Sequence, residues 1–186
     1  MPSVVMLEAC ENYQKQSYRN RCYILGPQGP QMLQVPIVHG PDKAISKVRV
    51  DYSTPWVLQT ERALDTAYET AAYYGHYREG LFSILESQPD TLWELNLALA
   101  NFLLKGCGIA CELRPTCSFQ ADAPDDYRNA IHPKREDGIE KELGLGRPYY
   151  QVFRDAMGGF TPRLSGLDLL LNEGPGSLLF LKTIRK

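Results

Sequence analysis

Three cations, Lys15, Arg19 and Arg21, stand among the neutral donors and acceptors Gln14, Gln16, Ser17 and Asn20 in the stretch YQKQSYRNRCYIL, residues 13–25. A guanidinium fork grips a phosphate or carboxylate through two parallel bonds, and amide side chains read the hydroxyl and amide groups of a sugar. If the chain is extended from Arg19 to Tyr23, then Arg19, Arg21 and Tyr23 share one face, where the two guanidiniums can hold one anion. The bland alternative is a solvated strand entrance with its charges facing water. A second polar group is IHPK at 131–134. Pro133 turns His132 away from helix, Lys134 sets a cation beside it, and imidazole titrates near neutrality, which suits the deprotonation of an amine or hydroxyl nucleophile. A loop histidine with a structural hydrogen bond is the competing reading. Tyr150 and Gln151 in RPYYQVF, and Asn172 and Glu173 after LDLLL, either line a cleft or serve packing and free helix-end carbonyls.

Cys107, Cys111 and Cys117 lack the paired CxxC spacing of a structural zinc site, and neither Cys10 nor Cys22 has the setting of a catalytic nucleophile. Free thiols are expected, with no metal and no cofactor called for. The chain has 186 residues, of which 44% are hydrophobic and 23% charged, so it fits one domain, 1–186, with a real core. Its 20 basic and 22 acidic side chains give a net charge of −2, which excludes an overall electrostatic footprint for nucleic acid. The opening MPSVVMLEAC lacks the features of an export signal, and the odd cysteine count fits a reducing compartment, so a cytoplasmic location is expected. No apolar stretch is long enough to predict a membrane span.

The elements that must position these residues are read from pattern. VVMLEAC at 4–10 predicts a strand, and RCYILG at 21–26 with QMLQVPIV at 31–38 predicts an antiparallel hairpin around GPQGP, with a loop of about four or five residues. Pro36 ends the second strand or puts it at an edge. KVRVDY at 47–52 alternates like a half-buried strand. A helix is expected from Pro55 to about Tyr74 behind a Ser53–Thr54 cap, a break at Gly75–His76, a shorter helix over 77–85, and a third helix capped by Asp90 and ending at Gly106 or Gly108. Residues 109–119 read as a strand interrupted by Pro115, and 120–147 as the least ordered part. Residues 148–157 predict a short helix, Ser165 with Asp168 a capping box that starts a helix ended by Gly174 and Pro175, and 176–182 a last short helix. The fold class is α/β, a mixed sheet containing a β-hairpin packed by several helices, with α+β as the alternative.

Taken in order, YQKQSYRNRCYI, the glycine turn with QVPI, DYSTPW, IHPK, PYYQVF and LSGLDLLLNEGP resemble the WbqC-like family of bacterial proteins, from about residue 8 to 182. The resemblance implies an α/β domain and a role in making bacterial surface polysaccharide such as O-antigen, through glycyl or related aminoacyl transfer to an amino sugar. The polar set it carries over falls on Gln14, Lys15, Arg19, Asn20, Arg21, His132, Lys134, Tyr150, Gln151, Asn172 and Glu173, with His132 as the catalytic base. The partner expected is a nucleotide-sugar or an activated-acyl small molecule. The alternative is a noncatalytic protein that binds a sugar nucleotide or a biosynthetic enzyme. Two departures stand out: relatives are expected to carry a further aromatic and proline-rich strand before VVMLEAC, and Arg163 stands where they are expected to have asparagine.

Overall fold

Glycines close the hairpin that follows the cationic stretch. In the computed structural model, which describes residues 4–123, 125–128, 130–133 and 147–182, strands β2 (Arg21–Gly26) and β3 (Gly29–Gln34) pair from Arg21↔Gln34 to Gly26↔Gly29. Only Pro27 and Gln28 lie between them, so the loop is shorter than the spacing predicts. Gly29 adopts φ +115°, a conformation that side-chain-bearing residues rarely take, and it lets the ladder run to the turn. The pairing stops two residues before Pro36, in agreement with proline's missing N–H. Strand β1 (Val4–Leu7) pairs in parallel with β4 (Glu112–Pro115) in a separate two-stranded sheet. The fold is thus mixed α/β, with the parallel and antiparallel pairings kept apart.

Residues 47–52 keep their alternation, with Val48 and Val50 buried and Lys47 and Arg49 exposed, but make only isolated bridges, Ile37↔Val50 and Arg49↔Thr91. Their backbone groups divide between two neighbours: the Val50 N–H donates to Asp90 O and the Leu92 N–H to Val48 O on one side, while the Asp51 N–H donates to Pro36 O and the Val38 N–H to Arg49 O on the other. That division leaves no continuous ladder.

Among the described residues, five α-helices follow the hairpin: α1 (Trp56–Tyr68), α2 (Tyr74–Glu86), α3 (Leu92–Gly106), α4 (Gly166–Glu173) and α5 (Ser177–Lys182). The first break falls at 69–73 instead of at Gly75, which lies inside α2. Docking sets it, because the Tyr73 N–H donates to Leu171 O of α4 and buried Tyr74 donates its hydroxyl to Asp65 Oδ1 at 2.6 Å. No side chain caps α1, since Asp51 takes the Ser53 N–H in a local turn. Thr91, not Asp90, caps α3 in a reciprocal box with Glu94, while Asp90 pairs with Arg49. Residues 148–151 are irregular and 152–158 form turns, where a short helix over 148–157 is expected.

The core joins β2 to the helices through Ile24, Leu64, Leu81, Leu92, Leu95 and Leu171, each no more than 1% exposed. Burying each such side chain stabilises the fold by about 1.5–3 kcal/mol, so this cluster fixes the hairpin against α1–α4. Among the described residues, no helix is long and apolar enough to cross a membrane.

Candidate functional site

The cationic stretch is a run of turns that delivers the chain into β2. Gln16 takes φ +57°, and buried Ser17 donates its hydroxyl to Gln14 O at 2.7 Å, leaving the side chains of Gln14 and Lys15 exposed. Arg19 lies before the strand, and Glu11 grips its guanidinium through Nε to Oε1 at 2.7 Å and Nη2 to Oε2 at 2.8 Å. Glu11, eight residues upstream, thus already pairs with Arg19, one of the two arginines of the clamp expected on a single anion. Asn20, 4% exposed, donates from Nδ2 to Val35 O and locks the entry of β2 to the exit of β3. Arg21 is half-buried as the first residue of β2.

A second centre forms where α4 meets α1. Asp168, 1% exposed, accepts the Tyr68 hydroxyl on Oδ1 at 2.7 Å, and on Oδ2 the Tyr149 hydroxyl at 2.7 Å and Gln151 Nε2 at 3.0 Å. Burial pushes the Asp168 carboxyl above its ordinary range, against the pull of these three neutral donors. Burial and the adjoining carboxylate push both tyrosines up as well, so they remain protonated donors. Gln151 also exchanges two bonds with the Thr161 backbone, its Oε1 accepting the N–H and its Nε2 donating to the carbonyl, both at 2.9 Å. Asn172 donates to Asp168 O at 2.8 Å, and Glu173 Oε1 accepts the Tyr150 N–H at 2.9 Å while the Tyr150 ring stays exposed. Of the residues expected to bind ligand, Gln151, Asn172 and Glu173 thus bind backbone or Asp168. The sequence spacing presents Asp168 as a helix cap, whereas Ser165 caps α4 alone by accepting the Leu167 N–H.

Two adjoining cavities lie between these centres. The smaller, about 160 Å³, is lined by Arg19, Asn20 and Arg21 around the start of the hairpin and by apolar residues of four helices, among them Trp56, Leu81, Leu99 and Leu167. The larger, about 530 Å³, is walled by the rings of Tyr23, Tyr149, Phe160 and Phe180 together with Arg147 and Arg163. Tyr18, Cys22 and Ser165 belong to both walls. Burial raises the Cys22 thiol, partly offset by a hydrogen bond with Ser165, which keeps it from being a ready nucleophile. Ile131 reaches the larger cavity, but His132, half-buried beside it, lines neither. Lys134 lies outside the described residues. Arg147 and Arg163 share the larger cavity's wall although they stand 16 positions apart with no periodic pattern between them, and the sequence singles out Arg163 alone, as a departure from relatives.

Comparison with known proteins agrees with the family resemblance. The signature of the WbqC-like protein family matches residues 3–139, most of the chain. Uncharacterized protein Rv1507c of Mycobacterium tuberculosis (strain ATCC 25618 / H37Rv) is 28% identical over 198 residues, covering 94% of this chain and 85% of that protein. No solved structure matches the chain significantly. With the cationic turns, hairpin and first three helices all inside the matched stretch, the chain belongs to the WbqC-like protein family.

Proposed function

We propose that this protein is a cytoplasmic transferase of bacterial surface-polysaccharide (O-antigen) biosynthesis that moves a glycyl or related aminoacyl group onto an amino sugar. The observation that supports this reading is the pair of cavities sharing Tyr18, Cys22 and Ser165, which gives two reactants separate seats and a common wall. Holding two reactants in one geometry removes much of the entropic barrier to their reaction. In the transfer, the acceptor nitrogen attacks the activated carbonyl carbon, a C–N bond forms, and the bond to the leaving phosphate oxygen breaks. His132 is the base that the resemblance implies. Adjacent in sequence to Ile131 of the larger cavity's wall, it reaches in from beside that wall to take the amine proton, and Arg21 on the smaller cavity's wall offsets the charge that the phosphate carries away.

The test is incubation of the purified chain with an amino-sugar nucleotide and an aminoacyl adenylate, followed by mass spectrometry. A product heavier by one aminoacyl residue is expected. His132→Ala should lower kcat by about 100-fold or more with a smaller change in KM. Arg21→Ala should weaken the adenylate by roughly tenfold. Binding without product supports instead the noncatalytic reading, and full turnover in His132→Ala removes the base.

A further inference from the structure

We propose that the smaller cavity is a binding site for an aliphatic α-amino acid, with Arg21 and Trp56 holding its carboxylate, Asn20 its amine and leucines of the helices its side chain. This deepens the aminoacyl reading above, on which it rests for the fate of the bound group, and makes that group larger than glycyl. Unpaired polar atoms are the first support. Asn20 Oδ1, Arg21 Nε and Trp56 Nε1 are buried with no hydrogen-bond partner, so three of the five side-chain atoms in that condition among the described residues belong to this one wall. Such an atom costs stability unless something completes it, and their gathering in one place marks where a ligand supplies the bonds. Asn20 and Trp56 are each only 4% exposed.

The kinds of atom are the second. Two are donors and one is an acceptor: the Val35 carbonyl takes Asn20 Nδ2, so Oδ1 is the atom left over. Glu11 holds Arg19, no carboxylate pairs with Arg21 among the described residues, and none of the described wall residues is acidic. Two donors, one of them cationic, suit a carboxylate, and the acceptor suits an N–H on the neighbouring carbon. In the transfer, this carboxyl end is the activated carbonyl, and Arg21 stands beside its leaving phosphate. All three atoms are closed to water as the wall stands. Solvent therefore does not complete them, and the ligand meets them as the side chains around them shift, a common adjustment on binding.

Apolar surface is the third. Leu64, Leu81, Leu85 and Leu167 are buried at the wall, with half-buried Leu99 and Leu103 beside them. An apolar cavity of about 150 Å³ takes a molecule the size of benzene, and the 160 Å³ here likewise fits a branched aliphatic side chain. Glycine would leave these leucines without a partner surface, so the wall selects for an aliphatic body.

Calorimetric titration of the purified chain with L-leucine, glycine, isocaproate and isoamylamine tests the proposal. After leucine, each compound lacks one feature: the apolar body, the amine and the carboxylate in turn. Leucine should bind saturably, and the others at least roughly tenfold more weakly. Arg21→Ala and Trp56→Phe should each lower leucine affinity about tenfold or more, the loss expected for a hydrogen bond to a charged group. Leu99→Phe, which puts ring atoms into the space, should lower it at least as far while keeping or raising the thermal midpoint, which separates lost binding from lost folding. No saturable leucine binding, glycine binding as tightly as leucine, or leucine affinity unchanged in all three variants would each overturn the site. If aminoacyl product forms while leucine ignores the substitutions, the transferase reading survives and this location falls. Leucine binding that responds to them without product leaves the site standing and removes the transferase.

Discussion

A carboxylate that is 1% exposed and bonded to three neutral donors is an expensive group to keep, and Asp168 shows where the expense goes. It draws Tyr68 of α1, Tyr149 of the cavity wall and Gln151 of the preceding turns onto one pair of oxygens, so its loss strands all three donors. Asp168→Ala should therefore destabilise the fold by about 3 kcal/mol or more, read from urea denaturation. Its ionisation carries a separate signature. Because the folded pKa lies above the ordinary value of 3.8, the native state keeps a proton that the unfolded chain has already released. This contribution to stability is full below the unfolded value and is lost as pH rises through the folded one. In Asp168→Asn that slope is missing, so the variant's stability relative to wild type should improve as pH is raised from 3.8 and then level off. A difference that is flat with pH would show that Asp168 does not titrate in this way.

The end of α4 is an element whose termination depends on a single residue. Gly174 takes φ +53°, and a Cβ there would lie 2.4–2.6 Å from the ring of Tyr73, so only glycine lets the break between α1 and α2 dock against this turn. Gly174→Ala combines a left-handed alanine with overpacking and should cost about 2–4 kcal/mol in chemical denaturation, against about 1 kcal/mol for removal of the α3 cap in Thr91→Ala. Equal effects would mean that the turn yields. The Gly-Pro stop of α4 was legible in the sequence because it is local chemistry, as were the hairpin glycines and the alternation of Val48 and Val50. What stayed hidden was set by distant partners. Gly75 looks like a helix break, yet the break follows Tyr73 onto Leu171. The run 148–157 has helical composition, but the Gln151 amide bonds the Thr161 backbone across ten residues and holds the segment in turns. The site shows the same division. Arg21 was singled out by residue type and Ser165 only as a helix cap, whereas the capture of Arg19 by Glu11 and the place of Ser165 in both cavity walls required the fold.

At the scale of the whole molecule, the two sheets have different jobs and should have different stabilities. The hairpin supplies Ile24 to the core and Cys22 to both cavities, whereas β1 and β4 contribute to neither the core cluster nor a cavity wall, and Met6 is 58% exposed. A two-stranded parallel sheet with so little cover is marginal alone, and here it relies on the Glu8 carboxylate. Glu8 accepts the Thr116 hydroxyl at 2.7 Å, the Cys10 N–H at 2.8 Å and the Gln120 N–H at 3.1 Å, which ties the exits of both strands together. Burial alone would raise the Glu8 pKa, but these bonds and the Arg128 charge outweigh it and hold the carboxyl below its ordinary 4.5. Its support is therefore present above 4.5 and lost as pH falls through the lowered value. Native-state hydrogen exchange should find the amides of β1 and β4 opening at least about tenfold faster than those of Ile24 and Leu95. Glu8→Gln should widen that gap by speeding the strands alone, leaving the core amides unchanged. Uniform acceleration across the chain would instead make β1 and β4 part of one cooperative unit with the site. Selective opening would show that the cavities are held by the hairpin and helices, with the parallel pair as a separable attachment.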